Sequence, residues 1–350
     1  MKGRTTEEKK QIKWEEQSSV RIDLLGGTID FAPINRLLPH AYTLNAAINL
    51  MCQSTLTFSK ELAGKIVLRS LDYNEENIFT LDEWRENKPR QGELKILRLI
   101  GSLFPIDKFV EESGEGFILE TVTNIGPGSG LGTSSALAIS LLKLMNRFFE
   151  TNWSETEMIQ TAQNIEGVVL NLGVAGIQDY YPAMKGGILC LKPTLRGIDV
   201  EQLYTKELAH FLEDRVLLVN TTINRNSGIN NFEMFKDFFQ GKDHPTYQGL
   251  AKIAQLSFQS YQAIKENRRE DFLQLLGEEG RVRETLSKGI VVDEIKELQK
   301  ELAIDVKVCG AGGGGHFLIP LLEKDVGRKD EIIKIIESSA MKVVCYNIVS

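Results

Sequence analysis

The chain is poor in the residues that usually build metal centres and covalent frameworks: 350 residues include only four cysteines and four histidines. Cys52, Cys190, Cys309 and Cys345 form no Cys-x-x-Cys pair, which excludes a zinc ribbon and a disulfide scaffold. Each lies among apolar residues, so four buried free thiols in a reducing compartment are expected. His40, His210 and His244 share no metal-ligand spacing, and His316 reads as a loop histidine beside a packed strand. No run of 18 apolar residues exists, which argues against a membrane-spanning helix. Positive charge is not in excess either. With 41 Lys and Arg against 48 Asp and Glu the net charge is −7, so neither nucleic acid nor an anionic membrane is expected as a partner. Residues 1–17 mix both charge signs and lack an apolar segment; they read as a charged tail rather than a signal peptide, and a cytoplasmic protein is expected.

Glycine is plentiful, and its placement is informative: two clusters stand at 126–132 and 310–315. The length suggests two domains. Strands are expected at 19–25, 42–58, 65–72, 116–125, 187–191, 216–220, 306–309 and 317–320, and helices at 94–103, 133–149, 154–170, 244–267, 270–286 and 292–302. Ser154-x-x-Glu157 is a capping box. Strands and long helices without regular alternation define an α+β chain, with a boundary expected between 205 and 206.

The densest chemical signal is a strand, then Gly126-Pro127-Gly128-Ser129-Gly130-Leu131-Gly132, then a helix opening with Thr133-Ser134-Ser135. Glycines let backbone approach a ligand closely, and successive N–H groups at a helix start form a phosphate cradle. Hydroxyls at its mouth can contact phosphate or ligate Mg²⁺. Taken alone, the loop is as readily a tight turn with Thr133 as N-cap. It lacks the lysine of a Walker A loop, and Glu150 lies at a helix end rather than at the strand end that a Rossmann loop requires.

The segment Gly126–Ala136 resembles the phosphate loop of the GHMP kinases. Two further segments agree in order: Arg21-Ile22-Asp23-Leu24-Leu25-Gly26-Gly27-Thr28-Ile29-Asp30-Phe31 is similar to the N-terminal motif, and Lys307-Val308-Cys309-Gly310-Ala311-Gly312-Gly313-Gly314-Gly315 to the C-terminal one. The resemblance implies the GHMP kinase fold: a domain like ribosomal protein S5 domain 2 over 18–205 that binds the nucleotide, and a ferredoxin-like domain over 206–350. It also implies ATP held on Gly126, Pro127, Gly128, Ser129, Gly130, Leu131, Gly132, Thr133, Ser134 and Ser135. Mg²⁺ is then expected on Ser134 and Glu166, with Ser135 the other choice of serine. Asp179 occupies the position of the family's catalytic aspartate, with Arg21 as its basic partner.

Asp30 stands where sugar kinases of the family keep an acceptor-binding aspartate. The Glu-His of galactokinases is replaced by Gly27-Thr28, and the Pro-Ser-Gly of mevalonate-type enzymes is absent before Asp179. Gly26-Gly27, Gly-x-Gln-Asp at 176–179, the four-glycine run and the segment Leu218–Ser227 resemble the branch of D-glycero-D-manno-heptose 7-phosphate kinases and L-fucokinases, which phosphorylate the anomeric hydroxyl. Its usual Gly-Gly-Gly-Thr-Asp reads Gly-Gly-Thr-Ile-Asp here, and its glutamine after the aspartate is Tyr180. Gly27, Thr28, Asp30, Gln178, Arg225, Gly313 and Gly314 are the acceptor-binding candidates. The expected partner is a small sugar or sugar phosphate. The alternatives are a kinase for galactose, mevalonate, homoserine or a similar alcohol, and a non-catalytic sugar and ATP sensor.

Overall fold

A computed structural model describes residues 13–86, 94–126, 128–169, 175–223 and 231–350. Its strands are β1 (Trp14–Leu25), β2 (Thr43–Ser59), β3 (Lys65–Ser70), β4 (Glu75–Thr80), β5 (Gly116–Thr123), β6 (Ile188–Thr194), β7 (Gly197–Gln202), β8 (Val216–Asn220), β9 (Lys307–Val308), β10 (His316–Pro320) and β11 (Lys342–Val344). Contacts divide the chain into two interleaved clusters: one holds Met1–Ser19, Leu50–Gly126 and Thr133–Ala175, the other Val20–Asn49, Pro127–Gly132 and Gly176–Ser350. Residues 176–205 group with those after them.

In the first cluster β4, β3, β5 and the second half of β2 lie side by side; β3 and β5 run parallel and the other pairs antiparallel. The helices α1 (Thr133–Phe149) and α2 (Glu155–Val169) belong to it. The apolar circumference of α1 is explained by its burial, with ten residues from Ser135 to Phe148 inside. The capping box forms as expected: Ser154 N–H donates to Glu157 Oε2 at 2.7 Å, and Glu157 N–H donates to Ser154 Oγ at 3.3 Å. The charged tail is shorter than 1–17, because Trp14 opens β1 and sets its ring edge-on to Phe148 at 5.4 Å. Glu15 and Gln17 stay outside while Trp14 turns in, and Glu16, in phase with Trp14, is half-buried.

The second cluster contains the first half of β2, whose Thr43–Ala46 pairs antiparallel with β6, and the β6–β7 hairpin. A separate antiparallel sheet runs β11-β8-β10-β9. Helices α3 (Tyr180–Lys185), α4 (Lys206–Arg215), α5 (Asn231–Phe238), α6 (Pro245–Lys265), α7 (Arg269–Leu286), α8 (Asp293–Leu302) and α9 (Lys329–Ser338) belong to it. Its core joins Leu217 and Val219 of β8, Phe317 and Ile319 of β10, Ile295 and Leu298 of α8 and Ile332 and Ile336 of α9. Cys52, Cys190 and Cys309 are buried as expected; Cys345 is exposed, because it follows β11 outside any core strand.

Phe148 is fully buried and its ring meets those of Trp14, Phe58, Phe109, Phe117 and Phe149. Phe148→Ala removes the common member of this group. It is expected to cost about 3–5 kcal/mol, read as a lowered midpoint in urea unfolding followed by tryptophan fluorescence.

Candidate active site

Arg21 lies on β1 with its side chain 3% exposed, and a buried cation demands partners. Its Nη1 donates to the carbonyl of Gly130 at 2.8 Å, and its Nη2 pairs with Asp179 Oδ1 at 2.6 Å. Backbone pairing sets the register, with Arg21 N–H donating to Leu131 C=O at 3.1 Å. Burial opposes the charge on Arg21, but Asp179 and Asp23 outweigh it and raise the pKa above the ordinary arginine value. The side chain of Asp179 is 25% exposed, so the carboxylate is held from one side and open on another.

Two positions of the loop under Arg21 admit no side chain. Gly130 has φ +76°, and a Cβ there would lie 2.6 Å from the carbonyl oxygen of Cys309. At Gly132, φ is +74° and a Cβ would lie 2.8 Å from Asp179 Cγ. His316 fixes the same loop: its N–H donates to Ser129 C=O at 3.0 Å, and its Nδ1 lies 2.8 Å from that oxygen. A carbonyl only accepts, so Nδ1 carries the proton; burial lowers the pKa of this ring and favours the neutral form.

Asp30 joins the group from the turn after β1. Its Oδ2 accepts the N–H groups of Ile177 at 2.8 Å and Gln178 at 2.9 Å, the two residues before Asp179. Gln178 is 6% exposed; its Nε2 donates to Gly27 C=O at 3.1 Å, and its own carbonyl accepts from Asn45 Nδ2 at 2.9 Å. A Cβ on Gly27 would fall 2.4 Å from Asp23 Oδ2, so a side chain here would have to displace that carboxylate. The Thr28 hydroxyl is buried and has no hydrogen-bond partner among the described residues.

Ser134, Ser135 and Glu166 belong to the first cluster. Ser134 Oγ donates to Glu166 Oε1 at 2.5 Å and Ser135 Oγ to Oε2 at 2.6 Å, so both serines reach one carboxylate. Ser134 is exposed and Ser135 is 1% exposed. Gly313 and Gly314, with φ +77° and +123°, lie in the turn where Gly313 N–H donates to Ile290 C=O at 2.9 Å. Pro127 and Arg225 lie outside the described residues.

Sequence reasoning missed a fully buried ionic cluster beneath Arg21. Lys307 Nζ meets Asp23 Oδ2 at 2.8 Å and donates to the Asp23 carbonyl at 2.8 Å; Glu279 Oε1 is 3.5 Å away. Arg283 lies 3.7 Å from Asp23 Oδ2, and Glu279 Oε2 accepts the Gly26 N–H at 2.8 Å. Burial alone would raise the Asp23 pKa; Lys307, Arg283 and Arg21 reverse this and hold it below the ordinary carboxylate value. Burial raises that of Glu279. Two signals were present: a lysine in the apolar run Val306-Lys307-Val308-Cys309, and a Glu–Arg pair at i,i+4 on one helix.

Residues 101–187 match the GHMP kinases N terminal domain family. The D-glycero-alpha-D-manno-heptose 7-phosphate kinase of Campylobacter jejuni is 30% identical over 315 residues, 86% of this chain and 87% of that protein. The L-fucokinase/L-fucose-1-P guanylyltransferase of Bacteroides fragilis is 29% identical over 357 residues, 94% of this chain, yet this chain spans 36% of that longer protein. The crystal structure of Lactococcus lactis galactokinase complexed with galactose superposes with a TM-score of 0.73 at 17% identity, covering 97% of this chain and 95% of that one, which establishes shared fold. The chain belongs to the GHMP kinase family. No described helix is long and apolar enough to cross a membrane.

Burial pushes the Asp30 carboxyl up to about 7 against the opposition of its two N–H donors, with the like charges of Asp179 and Asp23 adding to the rise. A group raised from 3.8 to about 7 binds its proton in the folded state. The stability it contributes is fully present below about pH 4 and is lost as pH rises through about 7, a loss of roughly 4 kcal/mol at 1.36 kcal/mol per unit. Asp30→Asn keeps an acceptor for the two N–H groups and is expected to remove this loss. Urea unfolding of parent and variant at pH 4 and pH 8 measures it; an equal pH dependence in both would refute the assignment.

Proposed function

We propose that the chain is an ATP-dependent sugar kinase that transfers the γ-phosphate directly to a hydroxyl of a sugar or sugar phosphate, in the manner of the heptose 7-phosphate kinases and fucokinases, with the anomeric hydroxyl as acceptor. The observation that carries this reading is the Arg21–Asp179 pair at 2.6 Å, seated on the Gly130 carbonyl of the glycine-rich loop. Phosphoryl transfer needs little covalent chemistry from protein; it needs positioned groups and charge stabilisation. Asp179, partly exposed and held by Arg21, accepts or orients the proton of the attacking hydroxyl. Arg21 fixes that carboxylate in place. The loop 126–132 and the helix start Thr133–Ser135 take the phosphates on backbone N–H groups.

Ser134, Ser135 and Glu166 present two hydroxyls and one carboxylate, hard oxygen donors of the kind Mg²⁺ takes. Ser134 and Glu166 are the assigned ligands, and the ion supplies charge neutralisation at the β- and γ-phosphates when bound. The acceptor is assigned to Gly27, Thr28, Asp30, Gln178, Arg225, Gly313 and Gly314. Within this set Asp30 and Gln178 already spend hydrogen bonds on the turn before Asp179, so they shape the acceptor site as well as line it. The domain roles follow the sequence reading, with nucleotide binding in 18–205 and the ferredoxin-like domain in 206–350.

ADP release with Mg-ATP over fucose, galactose, mannose, sedoheptulose 7-phosphate and heptose 7-phosphate, with mevalonate and homoserine as controls, tests the reading. Turnover on one sugar supports it; turnover only on a control replaces the acceptor class. Asp179→Asn is expected to lower kcat by about 10²–10⁴-fold with nucleotide affinity little changed; near-normal turnover would remove Asp179 from this role. Glu166→Gln is expected to raise the Mg²⁺ concentration for half-maximal rate by about 10-fold or more, and an unchanged Mg²⁺ titration overturns the ligand assignment.

A further inference from the structure

Asp23, Glu279, Arg283 and Lys307 are each at most 1% exposed, and together they bring two acidic and two basic side chains into one buried group. Such a cluster is an expensive way to fill space. Removing ions from water costs several kcal/mol each, and apolar residues of similar volume often stabilise as well or better. What the cluster holds is specific. Arg283 Nη1 donates to Val308 C=O at 2.5 Å, and its Nη2 donates to the carbonyl of Gly310. It reaches them because α7 lies against the backbone before β9: a Cβ on Gly280 would fall 2.0 Å from the Val306 carbonyl oxygen. Lys307 pins β9 to Asp23 of β1, two residues from Arg21. Glu279 holds the Gly26 N–H at the start of the Gly26-Gly27 turn.

Gly310 is the next link. With φ +61°, it packs so closely that a Cβ there would lie 2.9 Å from Gly130 Cα. Gly130 is the residue whose carbonyl accepts from Arg21, and Arg21 in turn holds Asp179. A continuous line of contacts therefore runs from Arg283 through Gly310 and Gly130 to Arg21.

We propose that Arg283, backed by Glu279, Lys307 and Asp23, is a positioning residue that sets the height of Gly130 and so places both the phosphate loop and Arg21 for transfer. The catalytic part of this rests on the sugar kinase reading; the effect on the phosphate loop does not.

The test uses the full chain with the double substitution Glu279→Gln/Arg283→Met. It leaves Asp23 and Lys307 as a neutral pair, keeps an acceptor for Gly26 N–H and fills the volume of the arginine stem. A displacement of about 1 Å costs on the order of 100-fold in rate, so kcat is expected to fall about 100-fold. Calorimetric Kd for Mg-adenylyl imidodiphosphate is expected to rise about tenfold, or 1.4 kcal/mol. Repeated in an Arg21→Met background, the same double substitution is expected to cost less than about threefold further in kcat, because residues that act through one another are non-additive. Values of kcat and Kd within about threefold of the parent overturn the proposal, as does a full additive loss in the Arg21→Met background. If the double variant does not fold, Arg283→Lys keeps the charge balance but not the paired carbonyl contacts, and parent-like kcat and Kd there overturn it equally. If the parent binds the nucleotide analogue yet phosphorylates no sugar, the kinase reading fails, and the Kd comparison alone decides whether Arg283 positions the loop.

Discussion

A guanidinium almost wholly removed from water is the constraint on which the rest of this site depends. Arg21 sits on a strand interior with 3% of its side chain exposed, and a buried cation persists only where carboxylates and carbonyls converge on it. That requirement accounts for features that otherwise look separate. Gly130 must turn its carbonyl toward β1, which takes φ +76° and leaves no space for a side chain. Gly132 must let Asp179 close on the arginine, and a Cβ there would strike the carboxylate. The turn before Asp179 must be held still, and Asp30 does this through the Ile177 and Gln178 N–H groups. The glycines are thus dictated by the arginine as much as by any phosphate.

Three aspartates share this neighbourhood and are driven apart by their surroundings. Asp23 faces Lys307, Arg283 and Arg21 and stays ionised despite complete burial. Asp30 has two N–H donors and no cation in contact among the described residues, so desolvation prevails and it tends toward the neutral acid. Asp179 has a cation on one side and an opening on the other. Only the last combines a fixed position with access. Environment has distributed one side-chain type over three tasks, which is how neighbouring carboxyls acquire distinct acid–base roles.

The glycine motifs were legible because a glycine cluster announces a backbone requirement wherever it occurs. Their order along the chain pointed to one family. Long helices were legible too: Thr133–Phe149 came out with the bounds the sequence suggested, since its apolar circumference admits little else. Shorter elements, among them β4, β7 and α4, escaped, because six to ten residues hold few apolar positions and do not resolve a period. Trp14 was lost in a charged segment for a related reason: alternation with Glu15 and Gln17 reads as a solvated tail until a partner such as Phe148 is known. The buried ionic cluster was the least legible feature. A charge in a sequence carries no address, and Asp23 and Lys307 are 284 residues apart.

That separation gives the cluster its use. Apolar packing between β1, β9 and α7 would be non-directional, and a strand sliding against its neighbours could keep much of the buried area. Oppositely charged groups in a water-free interior permit no such slide. Displacing Lys307 from Asp23 leaves an uncompensated ion, at a cost of about 3–5 kcal/mol. Displacing Arg283 leaves two carbonyls unsatisfied as well. The cluster therefore converts a tolerant interface into one with a single register, and that register carries Gly26, Gly130 and Gly310 along with it. Glycine supplies the freedom to reach the required backbone shape; the ions remove that freedom once it has been reached. A site assembled from backbone N–H groups needs both, because an N–H group has no side chain through which its position can be corrected.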